Sequence, residues 1–170
     1  MANKYGVAAW LTAFTLVMLL FIMAPATAED NIKMRGRLIE PPPCSLDDDG
    51  TVTVDFGDKI GVKKVASGIY RQPVNLHLKC EESTQAWQLL LTVRGSAVDF
   101  DADKATLMTP QHRDLGVKLY LDGKPFELES AVKINGNLLP DIEAVLVQRE
   151  GADLTEGPFT AQATMRAEYQ

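Results

Sequence analysis

Histidine is nearly absent from this chain of 170 residues, and cysteine is equally scarce, with two of each. Only His77 and His112 could supply imidazole chemistry, and no Cys, Asp or Ser motif places a nucleophile or a metal beside either. His77, between Leu76 and Leu78, reads as a solvent-facing strand residue. No glycine-rich phosphate loop and no zinc-ligand spacing occurs. Asp99, Asp101 and Asp103 match the opening of a calcium loop, but Lys104 stands where glycine is required and Pro110 where a bidentate glutamate belongs. Asp47-Asp48-Asp49-Gly50 lacks the alternate spacing and reads as a solvated turn. An enzyme is therefore not expected, and neither a cofactor nor a metal. A convincing helical period is missing as well, while Pro and Gly recur between short apolar runs, which points to an all-β domain.

The first 28 residues are set aside before fold reasoning. Lys4 gives a basic start, Val7 to Met23 is uncharged and apolar, and Ala26-Thr27-Ala28 fits small-residue cleavage, so this segment reads as a secretory signal peptide and not as a membrane anchor. Removing 28 of 170 residues leaves 142, enough for one domain with a real core. Lys4 is the only charged residue removed, so 16 basic residues face 23 acidic ones for a net charge of −7. That balance excludes a nucleic-acid partner needing a basic surface. Cys44 and Cys80 both lie in the exported part, where an oxidising compartment favours a disulfide.

The two ends of the exported chain carry the clearest patterns. From Phe159 the odd positions are apolar (Phe159, Ala161, Ala163, Met165, Ala167, Tyr169) and the even ones polar, so Gly157 to Gln170 predicts one long strand with a single buried face. At the other end Ile32, Met34, Gly36 and Leu38 alternate with Lys33, Arg35 and Arg37. Glycine inside a strand costs stability and marks a bulge or a close approach to the backbone. Pro41-Pro42-Pro43 then removes three consecutive donors, so no ladder runs through it and the leading strand reads as a projecting arm.

Between these ends the body, residues 44–170, reads as strand after strand. Strands are expected at Thr51–Phe56, Val74–Cys80, Trp87–Arg94 (central, covered on both sides), Val117–Leu121, Pro125–Leu128 and Ile142–Gln148, besides the terminal one. Gly57 to Gly68 and Gly95 to Arg113 read as loops, and Asp122-Gly123 as a tight turn. About six body strands suggest a sandwich one strand short of the seven of an immunoglobulin-type fold.

The ordered set of pieces resembles the pilin subunits of chaperone–usher fimbriae, in particular minor subunits of P-type and related pili. It comprises Asn31 to Leu38 ahead of Cys44, Val54-Asp55-Phe56-Gly57, Val74 to Cys80, Gly116 to Gly123, and Gly157 to Gln170 with its alternating alanines and penultimate tyrosine. The resemblance implies an incomplete immunoglobulin-like sandwich of six strands, with an arm and proline spacer over residues 29–43. It implies that Ile32, Met34, Gly36 and Leu38 are donor-strand positions. It also implies that the Phe159–Tyr169 strand borders a groove filled first by a periplasmic pilus chaperone and then by the arm of a neighbouring pilin subunit, delivered at an outer-membrane usher. Glu40 departs from the pattern where another apolar donor residue is expected. Export through the periplasm to the cell-surface fimbrium follows, with a role as linker, adaptor or minor shaft subunit. A tip adhesin would need a separate lectin domain and would lack the arm. The alternative class, a self-contained carbohydrate-binding sandwich, would need aromatic residues clustered on one surface, and no clear set exists.

Overall fold

The computed structural model describes residues 32–46, 50–81, 88–134 and 138–169. The expected signal peptide, Asp47 to Asp49 and Trp87 lie outside the described residues. Two units divide the chain, Met1–Ile39 and Glu40–Gln170. In the first, residues 32–39 form no strand and are exposed throughout.

In the second unit, Leu89, Leu91 and Val93 are at most 2% exposed while Leu90 and Thr92 between them are half-buried, the alternation of a strand with one face in the core. This strand, β4 (Leu89–Arg94), is the middle of a three-stranded sheet, flanked by β10 (Thr164–Tyr169) and β8 (Ala131–Ile134). A second sheet runs in the order β2 (Arg71–Pro73), β9 (Ile142–Gln148), β6 (His112–Leu121), β5 (Thr106–Thr109), with β7 (Lys124–Pro125) also paired to β6. Its inner face contributes Leu115, Val117 and Leu119 from β6 and Ile142, Ala144 and Leu146 from β9. These join the β4 row, Ile134 and Phe126 in one buried cluster, so the two sheets form a sandwich. A third, two-stranded piece pairs β1 (Cys44–Leu46) with β3 (Leu78–Cys80). There Cys44 stands opposite Cys80, and the two form the expected disulfide. Closing a 36-residue loop in this way contributes about 4 kcal/mol in the chain-entropy view.

The all-β architecture is as the residue pattern predicts, but the ladders fall differently. Among the described residues ten short strands stand where fewer and longer ones were expected, because several alternating runs are paired over only part of their length. Val74, Leu76, Leu78 and Cys80 are all half-buried on one face, yet only Leu78–Cys80 is a strand, and β2 lies upstream. Gly57–Gly68 contains a 3-10 helix, Val62–Ser67, closed by Gly68 in the left-handed region with its N–H on the Val65 carbonyl. The helix packs on β9, which explains why Val145, pointing away from the main core, is still buried. Gly95–Arg113 holds β5 and the start of β6. β5 passes so close to Gly116 that a Cβ there would overlap the Thr106 methyl and lie 3.0 Å from the Leu107 carbonyl. β4 is central in pairing but covered on one face only, since Leu90 and Thr92 stay half-buried. β8 was not expected, because Ala131–Ile134 is too short to register as a run. β7, Lys124–Pro125, takes only Pro125 of the strand expected over 125–128. Asp122-Gly123 forms its turn with φ of 49° and 75°, the positive pair that a two-residue hairpin requires.

The acidic run that imitates a calcium loop is instead a charged clasp over β6. Asp101 accepts from Lys118 Nζ at 2.8 Å, from the Thr106 hydroxyl at 2.7 Å and from the Ala105 amide at 3.0 Å; Asp103 also reaches Lys118. The Asp101 and Lys118 side chains are 10% and 13% exposed. Burial opposes ionisation of Asp101, but the bonds from Lys118, Thr106 and Ala105 outweigh it and hold its carboxyl below the ordinary value. A folded-state pKa below the unfolded one means that the unfolded chain takes up the proton first. The clasp's contribution is thus complete above about pH 4 and is lost as pH falls through the folded value. Asp101→Asn is expected to lower the melting temperature at pH 7 and to flatten its fall as pH drops below about 4. Melting curves of both proteins across that range test this, and parallel acid limbs would refute the assignment.

Candidate functional site

β10 pairs antiparallel with β4, placing Met165 opposite Val93, Ala167 opposite Leu91 and Tyr169 opposite Leu89. Opposed residues share a face, so the three apolar side chains of β10 stand beside the buried row of β4. They are nevertheless only half-buried. Cover over the core thus thins at β10, which ends its sheet and pairs only with β4 among the described residues.

The other wall is the stretch that follows β1. At one end the Tyr169 hydroxyl lies 2.9 Å from Cys44 Sγ, and since a disulfide sulfur carries no hydrogen the tyrosine donates. At the other end the Phe56 and Phe159 rings meet with centroids 6.2 Å apart. Cys44 and Phe56 thus meet the 159–169 stretch at its two ends, and no ladder joins residues 50–60 to 158–169 among the described residues. Half-buried Val54, Phe56, Leu78, Phe159, Ala161 and Met165 pack against the core here, the apolar lining of the slot proposed below. Val52, Val54 and Phe56 keep the alternating exposure of a strand although residues 51–56 form no ladder. The expected strand over 51–56 is therefore half right: its face is set, its backbone partner is missing.

The long strand expected over 157–170 is shortened for a related reason. Thr164 pairs with Arg94, the last residue of β4, so nothing in that sheet remains to pair with residues 158–163. At Gly95 the chain leaves the sheet, and a Cβ there would overlap Leu107 and stand 3.1 Å from the Gln162 carbonyl. Of the six apolar positions read from the alternation, Phe159, Ala161, Met165, Ala167 and Tyr169 are half-buried and packed on the core, while Ala163 is exposed. The arm positions Ile32, Met34 and Leu38 are 73%, 89% and 102% exposed. His77 is exposed, and His112 engages the chain near Pro158. The wall formed by Val54, Phe56 and Ile60 was not recognised as part of a site, although the alternation of Val52, Val54 and Phe56 carried the signal.

Residues 32–170 match the model of the family described as fimbrial protein. This chain belongs to that family. As a fimbrial subunit it is a structural protein, not an enzyme, and its place is in the extracellular pilus. Two uncharacterized fimbrial-like proteins of Escherichia coli (strain K12) are similar to it over nearly their whole lengths. YfcQ is 32% identical over 94% of this chain and 98% of its own, and YfcR is 30% identical over 100% and 97%. Among solved structures, the P pilus rod subunit PapA shares its fold with a TM-score of 0.57 at 21% identity, covering 75% of this chain and 99% of PapA. The P pilus adaptor subunit PapF gives 0.56 at 20%, covering 77% and 98%.

The Tyr169–Cys44 contact ties the end of the fimbrial subunit's last strand to its disulfide. Tyr169→Phe keeps the ring and removes the donor, and is expected to cost roughly 0.5–1.5 kcal/mol, the net worth of one such bond. In a Cys44→Ala/Cys80→Ala background the same substitution should cost less, by the share that belongs to the sulfur contact. An undiminished penalty there, in thermal or denaturant unfolding, would show that the hydroxyl serves some other partner.

Proposed function

We propose that the slot beside β10 accepts an extended strand from another protein, and that this subunit polymerises by donor-strand exchange, donating its own arm to a neighbour. The observation that carries the reading is the pair of walls just described: two apolar, strand-like stretches that touch at their ends and lack a shared ladder between them. A strand laid in the slot would gain backbone bonds from an exposed edge and would bury alternate side chains in the core, the two sources of affinity and specificity in strand addition. Each large side chain so covered contributes up to roughly 1.5–3 kcal/mol.

The arm has matching chemistry. Ile32, Met34 and Leu38 expose apolar side chains at alternate positions, and Ile32 to Leu38 spans about 20 Å when extended. Gly36 has no heavy atom within 4 Å of where its Cβ would be, and its φ is not positive, so nothing in this chain requires glycine there. The requirement lies instead in the narrow part of a neighbour's slot. Lys33, Arg35 and Arg37 would face outward and add a salt-dependent attraction between the arm and acidic surface. Before a neighbour's arm arrives, a periplasmic chaperone would occupy the slot, with transfer at the outer-membrane usher. The position in the fibre would be that of a linker, adaptor or minor shaft subunit.

Expressed without a fimbrial chaperone, the exported chain is expected to aggregate, because an unpaired edge and an uncovered apolar slot are both adhesive. Co-expression with such a chaperone should yield a soluble complex. A monomer that folds cooperatively and stays soluble alone would end this reading. Gly36→Val should leave chaperone binding intact yet block transfer of the arm into a chaperone-bound recipient, measured by complex formation on native gels. If Gly36→Val transfers as fast as the parent while Arg35→Ala abolishes transfer, the wrong face of the arm has been assigned.

A further inference from the structure

The segment leading into β10 has lost its ladder neighbour at Arg94, but it is not left to itself. The turn joining β5 to β6 reaches across to it. Gln111 lays its amide along Thr160, with Oε1 accepting from the Thr160 backbone N–H at 3.0 Å and Nε2 donating to the Thr160 hydroxyl at 2.9 Å. Beside it, His112 Nε2 lies 3.2 Å from the Pro158 carbonyl and Nδ1 lies 3.4 Å from the Thr155 hydroxyl. A neutral ring protonated on Nε2 satisfies both contacts, donating to the carbonyl and accepting from the hydroxyl. Gly157 makes room for that ring, since a Cβ there would stand 3.3 Å from Nε2.

The turn is itself anchored. Thr109, fully buried, donates its hydroxyl to the carbonyls of His112 at 2.7 Å and Leu115 at 3.1 Å, where the β5–β6 register shifts. Rigid sheet, buried threonine, turn, glutamine and Thr160 thus form one connected chain of contacts. The residue between the two gripped positions is Phe159, whose ring meets Phe56 at the mouth of the slot. A side-chain amide here does what a strand neighbour does elsewhere: it fixes the register and hence the face on which Phe159 points.

We propose that Gln111 and His112 are positioning residues for strand acceptance. By gripping Pro158 and Thr160 they hold Phe159 at the mouth of the slot, and so set how tightly an incoming strand is bound at that one end. The inference rests on the strand-accepting reading of the slot. Gln111→Ala removes both bonds to Thr160. Gln111→Glu keeps them, because a carboxylate can accept from the backbone N–H and from the hydroxyl turned donor.

The test uses the full exported chain and its Gln111→Ala and Gln111→Glu variants, each kept soluble as its complex with a fimbrial chaperone, and a fluorescent peptide with the sequence of residues 29–40 that displaces the chaperone, together with versions shortened by three residues at either end. Binding is read by anisotropy and dissociation by chase with unlabelled peptide. Gln111→Ala should bind the whole peptide about tenfold more weakly, the factor that two net neutral hydrogen bonds supply, and Gln111→Glu should restore most of it. The penalty should vanish for one shortened peptide, the one that no longer reaches Phe159, and persist for the other. A merely structural role for Gln111 would weaken all three peptides alike. Equal binding by wild type and Gln111→Ala, or a uniform loss across the peptides, overturns the proposal while leaving the slot's function standing. Failure of the whole peptide to bind wild type overturns both.

Discussion

A backbone amide or carbonyl taken away from water must find a partner, and a strand at the edge of a sheet has a full row of them on one side. Water can satisfy that row only where it can reach, and an apolar inner face draws the same strand toward the dry interior. β10 meets both demands at once. Its register with β4 sends Met165, Ala167 and Tyr169 inward, while its far edge has no ladder among the described residues. The stretch 51–56 is caught in the same conflict from the other side, with one face committed to the core and no ladder among the described residues. A single added strand, as proposed, would resolve both.

What the chain manages internally is to fix the ends of that opening. The disulfide brings β1 against β3 and gives Tyr169 a sulfur to bond, so the slot is pinned where β10 finishes. The Phe56–Phe159 contact marks the opposite end. The depth of the core beneath comes from the second sheet, whose close approach to Gly116 leaves no slack for the 96–109 segment to shift.

Much of this was legible in the residues, and the unread parts have physical reasons. Alternation reports which side of a chain faces inward, so the inward positions of β10 and of the 52–56 and 74–80 stretches could be read directly, whereas the unbroken apolar runs of β4 and β9 hid theirs. It does not report whether a neighbour exists to complete the ladder, which is why 51–56 and 158–163 were read as strands and form no ladder among the described residues. Ladders depend on residues far away in sequence: where β4 ends at Arg94 decides where β10 begins. β5 and β8 were missed because four residues carry too little pattern. The grip of Gln111 on Thr160 joins residues 49 apart through side chains whose types are ordinary in turns, and no local rule singles them out.

The placement of the disulfide bears on how such a molecule carries load. Pull on the chain from its leading end, and tension travels through Pro41-Pro42-Pro43, a segment already near full extension, before reaching Cys44. There the force path divides, and the covalent branch leads straight to Cys80 at the end of β3. The 36-residue excursion between them, with the slot's Val54–Phe56 wall and the 3-10 helix, is short-circuited and cannot be drawn out. A subunit strained along its length would therefore yield elsewhere first and keep the shape of that wall under tension.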